Sequence, residues 1–167
     1  MYKRTIFVIS ILWYLLVANT TFAYTHADSL RGGNGRGRSW WDVRQYDLTV
    51  KFDTLNKSIA GNSKIFFKVT ATPADSMQID LQEPMVMDSV LLTPFAGGAK
   101  ATRLTFAHEG NVWWVKYPFH TLLRDSIYSV TVWYGGVPRE AVHPPWDGGI
   151  SWTQDSMGKQ KQVDTSI

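Results

Sequence analysis

The chain of 167 residues contains no cysteine. That absence excludes disulfides, thiolate metal sites, a cysteine nucleophile and a leader that is lipidated on cysteine. A domain without cross-links must be held by its core, and a hydrophobic fraction of 44% in this length is enough for one domain of ordinary size. Charge is also scarce, at 19% of residues with a formal net charge of +3. Setting aside Lys3 and Arg4 at the extreme N-terminus, two of the 17 basic residues, leaves 15 against 14 acidic ones. Nothing in that balance calls for a nucleic-acid partner. The one basic cluster, from Arg31 to Arg38, is short and glycine-rich and reads as a flexible spacer rather than an RNA contact. No stretch carries a helical hydrophobic period of useful length. There is no G-x-S-x-G elbow, and Gly32 to Gly37 neither follows a strand nor opens a helix as a phosphate loop would.

What is present begins with a leader. Lys3 and Arg4 precede an apolar run from Thr5 to Val17, followed by small residues that allow cleavage after Ala23 or Ala27. The run is short for a membrane span, which needs roughly 20 apolar residues. Residues 1–23 therefore read as a signal peptide, with the cut at 23 or at 27. The mature protein is expected to be periplasmic or extracellular, with no membrane span after cleavage. Residues 24–39 read as a Gly/Arg-rich linker, 40–158 as the domain and 159–167 as a divergent, unpatterned tail.

From Val43 onward the hydrophobic period is two. Tyr46, Leu48, Val50 and Phe52 alternate with polar residues, as in a half-buried strand. Turn residues at 53–57 separate it from a second strand through Ile59, Ile65, Phe67 and Val69, the two forming a hairpin. Shorter strands follow at 77–81 and 86–92, after a break at Glu83–Pro84. Segments 102–106 and 112–117 form a hairpin across 107–111, and a last strong strand runs over 127–134. The high aromatic share, 14% with eight Trp, favours strands as well. The fold class is all-β: an antiparallel β-sandwich or a curved, saddle-like sheet of about seven or more strands. After Gly135 comes a loop dense in Pro and Gly.

Few residues point to chemistry. A zinc-peptidase helix needs H-E-x-x-H, so that both His share one face with Glu as the base. His108-Glu109 begins that pattern, but Val112 stands at the fifth position and the pair falls in the expected hairpin turn. His26, His120 and His143 are scattered. Asp80, Glu83, Asp88, Glu140 and Asp147 could supply a carboxylate pair for glycoside hydrolysis, although turn and solvent-facing roles account for each. The adjacent pairs Trp40-Trp41 and Trp113-Trp114 place one member of each outward on a strand. Trp41, Trp114 and Trp133 are thus candidate exposed aromatics, able to stack on sugar rings or to meet a partner domain.

Several segments resemble one family. Arg38-Ser-Trp-Trp-Asp-Val-Arg-Gln-Tyr-Asp-Leu-Thr-Val50 is similar to the first strand of the N-terminal domain of aminopeptidase-N-like zinc metallopeptidases, and Met77 to Met85 followed by Asp88-Ser-Val90 also matches it. The loop Pro138-Arg-Glu-Ala-Val-His-Pro-Pro-Trp-Asp-Gly-Gly149 with Ser151-Trp152 is the most specific likeness, closest to exported bacterial members. The resemblance implies a non-catalytic β domain that walls the active-site cleft of a separate catalytic domain. Zinc and the peptide substrate would then belong to the full-length parent, and no cofactor to this chain. No catalytic or metal residue is carried over, because the family's motifs do not occur here. The loop Pro144, Pro145, Trp146, Asp147, Gly148 and Gly149 is the candidate interdomain or cleft-facing surface. The ending reads as a fragment cut before the catalytic domain, the alternative being a stand-alone β-sandwich module that binds carbohydrate or protein.

Overall fold

A computed structural model describes residues 25–94, 100–144, 146 and 148–154, and the backbone of 160–164. The leader lies outside the described residues. The chain divides after Gly33 into two units. In the first, Thr25 caps a short helix, α1 (His26–Gly32): its hydroxyl accepts from the Asp28 N–H while the Asp28 carboxylate accepts from the Thr25 N–H. This capping box places a helical turn inside the segment read as linker. Among the described residues, no helix is long and apolar enough to cross a membrane.

The second unit is built from strands β1 (Trp41–Asp53), β2 (Ser58–Val69), β3 (Ser76–Asp80), β4 (Val86–Pro94), β5 (Thr102–Glu109), β6 (Val112–Lys116), β7 (Ile127–Gly136), β8 (Ile150–Gln154) and β9 (Gln160–Asp164). The first seven form one antiparallel sheet in the order β1-β2-β7-β4-β5-β6-β3, curled into a half-barrel. This is the curved-sheet form of the two architectures expected from sequence. Strand β5 makes the bend: Thr102, Arg103 and Leu104 pair with β4, while Thr105 to Glu109 pair with β6.

Two bulges decide what the sheet buries. One extra residue in β1, between Val43 and Gln45, brings Trp41 and Val43 onto the same face as Tyr46, Leu48, Val50 and Phe52, although their positions differ in parity. A second, between Met87 and Ser89 in β4, does the same for Met87 with Val90 and Leu92, all three buried. The concave side therefore collects Phe67, Val69, Val90, Leu92, Leu104, Val115, Val130 and Val132 into one core, closed by Trp40, Met77, Trp113 and Phe119. Trp40 meets Phe119 at 5.1 Å between ring centroids and Phe67 edge-on at 6.1 Å. Each such fully buried large apolar side chain contributes about 1.5–3 kcal/mol.

Three local expectations are corrected. The β5–β6 turn is only Gly110-Asn111, so His108 and Glu109 lie on β5; Gly110 takes φ +55°, the left-handed entry that a two-residue hairpin turn favours. Part of the tail pairs as β9 with β8 in a separate two-stranded sheet, because backbone pairing does not need an apolar pattern. Strand β1 is not half-buried: Tyr46, Leu48, Val50 and Phe52 remain 55%, 65%, 39% and 43% exposed. It is an edge strand beyond the reach of the core.

Candidate functional site

The curl brings the two ends of the sheet to face each other. Between them lies a groove of about 590 Å³. Tyr46 and Leu48 of β1, Ile65 of β2 and Val132 and Tyr134 of β7 form one wall, and Ile79 and Leu81 at the β3 end form the other. The lip is charged. Arg38 pairs with Asp80 across the groove mouth, and Arg44 stands 3.5 Å from Asp42. Gly37 is wedged beside β3, where its carbonyl accepts from the Gln78 N–H at 3.0 Å and from Trp41 Nε1 at 2.8 Å. Partial burial raises the Tyr134 hydroxyl above its ordinary pKa, so it stays a neutral hydrogen-bonding group. An apolar floor with paired charges at the lip is equipped to bind rather than to transfer protons.

The sequence-derived candidates are dispersed. Trp41, Trp114 and Trp133 are each half-buried rather than exposed. Trp41 packs edge-on against Phe67 at 5.7 Å, and the Gly37 backbone approaches the Trp114 ring. Trp40 packs against the same Phe67 ring, so that pair does not divide between faces, while the Trp114 ring is met by the segment before β1. In the Pro/Gly loop, Pro144 is exposed and Trp146 is 87% exposed, while Gly148 and Gly149 are partly covered. Pro145 and Asp147 lie outside the described residues. The loop is anchored at both ends. Glu140 bridges to Ile150 and forms an ion pair with Lys57 at 2.8 Å, and Gly149 adopts φ +116° where a Cβ would meet the Arg139 carbonyl at 2.7 Å. The loop thus holds Trp146 outward on a fixed base.

The resemblance assigns its zinc to the full-length parent rather than to this chain. Among the described residues, no three His, Asp or Glu side chains converge as a metal would require. His108 stacks on Trp113 at 4.7 Å instead, and His120 stands 3.8 Å from Asp75. Of the carboxylates considered for glycoside hydrolysis, Asp80 is engaged by Arg38 and Glu140 by Lys57. The groove itself was not foreseen. Its one sequence signal was the parity break between Val43 and Tyr46, which marks a bulge.

No family model matches the sequence, and none of the curated proteins does. Solved structures share its fold. The M1 zinc metallopeptidase of Deinococcus radiodurans, as a mutant bound to a Tyr-Ser-Ala substrate, is 17% identical with a TM-score of 0.50, the match covering 74% of this chain and 28% of that one. The same organism's enzyme without the mutation gives 16% and 0.51, covering 72% and 27%. Native leukotriene A4 hydrolase from Saccharomyces cerevisiae gives 13% and 0.53, covering 73% and 18%. The chain therefore spans less than a third of the length of the structures it matches. What it shares with them is the fold of their N-terminal β domain.

Proposed function

We propose that this chain serves as the non-catalytic N-terminal β domain of an exported zinc aminopeptidase, walling the active-site cleft of the same parent protein's catalytic domain. The observation that carries this reading is the open apolar face: a row of four large side chains on β1, none less than 39% exposed, continuous with an apolar groove. Isolated apolar residues on a surface need no explanation, but a contiguous row beside a groove marks a contact surface. The fold likeness supports a catalytic domain as the partner of such a face. The metallopeptidases that share this sheet are more than three times as long as the matched portion. Trp146, held outward on its anchored loop, is the second contact.

In this arrangement the domain's own residues supply shape and polarity. Leu48 and Phe52 would be covered by the partner, while Arg38, Asp80 and Asp42 would set the charge of the cleft wall. The zinc, its bound water and the residues that hold them belong to the partner. Export is part of the same proposal. Cleavage after Ala23 would leave Thr25 and the α1 cap intact, whereas cleavage after Ala27 would remove the first turn of that helix.

Reading the gene and its transcript past the codon for Ile167, in all frames, tests the proposal. An H-E-x-x-H helix with a downstream Glu within the next few hundred codons supports it. A confirmed stop with no such segment leaves the rival, a stand-alone module binding carbohydrate or protein. Retention on a glycan array, lost on changing Trp41, Trp114 or Trp133 to Ala, would then favour that rival.

A further inference from the structure

The face of β1 and its edge are separate surfaces, and the edge has its own logic. Strand β1 ends the sheet, and among the described residues nothing pairs with its outer side. The Thr49 carbonyl is turned toward β2, where a Cβ on Gly61 would collide with it. Backbone groups of successive strand residues point to alternate sides, so those of Tyr46, Leu48, Val50 and Phe52 are directed to the free edge.

Exposed edges are normally protected by charge, and Asp47 and Lys51 have the look of such guards. Their spacing has another consequence. They flank Thr49 symmetrically and carry opposite signs. We propose that two copies of this chain pair antiparallel through β1, with the two-fold axis at Thr49. In that register Asp47 of each copy faces Lys51 of the other, twice over, on the outer face. On the concave face Leu48 meets Val50, and Tyr46 meets Phe52, each twice. All four of the latter residues direct their backbone groups to the shared edge, as hydrogen-bonded pairs require. Asp47 and Lys51 fall at the closer, non-hydrogen-bonded positions, where side-chain pairing is strongest.

Neighbouring registers are worse. An axis at Asp47 puts Asp47 against itself, an axis at Val50 puts Asp47 against Asp53, and an axis at Lys51 puts Lys51 against itself. An axis at Leu48 pairs no charges at all. Around Thr49 the overlap runs from Gln45 to Asp53, ending where the bulge after Val43 turns the strand aside. Asp47 is available for the exchange: its present partner is the neighbouring Gln45 side chain at 2.5 Å, on its own strand. The pairing joins edges and leaves each groove open; it shares Leu48 and Phe52 with the catalytic-domain contact proposed above, and the Asp47–Lys51 pairs on the outer face are what distinguish the two.

Light scattering on the full chain across a concentration series tests this, with circular dichroism as the check on folding. A dimer is expected. Lys51→Asp sets aspartates against each other at both pairs and should weaken dimerisation about tenfold, as should Asp47→Lys. The double exchange, Asp47→Lys with Lys51→Asp, should restore it. Leu48→Pro removes an N–H at the free edge and should abolish the dimer; if that variant does not fold, the charge-exchange set decides alone. A monomer at every concentration overturns the proposal. So does a dimer indifferent to charge reversal, because the axis is then elsewhere.

Discussion

The two ends of β2 live in different worlds. At its C-terminal end Phe67 and Val69 are fully buried against β7 and the Trp40 cluster. At the other end Ile59 and Gly61 share the same concave face with Phe52 and Val50 of β1, which remain open to water. One strand thus crosses from a finished core to an unfinished one. The inward positions differ as well as the cover: Ile65, Phe67 and Val69 are apolar in the closed half, whereas Gly61 and Ser63 join Ile59 in the open one. The closed half stabilises the domain, and the open half is the part the proposal gives to a partner.

That contrast can be broken by substitution. At protein concentrations low enough for the monomer, Phe67→Ala should cost about 3–5 kcal/mol in urea unfolding, whereas Leu48→Ala should stay within about 0.5 kcal/mol of the parent. Comparable losses at both sites would show that the open face is already covered. Gly61→Ala sharpens the picture, since it is a tight position within the open half. Its Cβ would strike the Thr49 carbonyl, and backbone cannot step aside, so a loss of about 1–3 kcal/mol is expected in the same assay.

Smaller effects belong to the charges. Arg38→Ala removes the pair with Asp80 that ties the segment before β1 to β3. Both side chains are partly exposed, so the cost should be about 1 kcal/mol or less and should shrink in high salt. The least is expected at Asp53, whose carboxylate accepts from Asn56 and Leu55 in the β1–β2 turn. The Asn56 side chain first, then the backbone N–H groups, hold its pKa below the ordinary carboxylate value. A depressed folded pKa means the unfolded chain binds more protons as pH falls. The contribution is therefore present above the unfolded pKa and is lost as pH drops through the folded one. Asp53→Asn should accordingly be less stable than the parent at neutral pH, with the gap closing in acid, as thermal melts across that range would show.

Much of the sheet was legible from the residues. The period-two runs at 46–52 and 127–134 are strands, and the hairpin of β5 and β6 forms as expected, although its turn is shorter than the 107–111 expected. Burial was not legible on β1, because alternation records which side chains share a face and not whether anything covers it. Bulges were also hidden: Val43 and Tyr46, or Met87 and Val90, look out of phase until one extra residue realigns them. Alternation places one Trp of each pair outward, which does not hold for Trp40 and Trp41, both packed on Phe67, and the segment at Gly37 that lies against Trp114 left no signal in the sequence. The tail strand β9 had no pattern to read, since its partner β8 supplies the pairing.

The central claim is that the open face of β1 is a docking face for a zinc-peptidase domain. The direct measurement is titration calorimetry of this chain with the H-E-x-x-H domain that the proposal expects downstream in its gene, supplied as a separate polypeptide, comparing the parent with Leu48→Asp/Phe52→Asp. The account predicts saturable binding by the parent and its loss in the variant, with the fold unchanged by circular dichroism. Equal binding by both, or none by the parent, would contradict it.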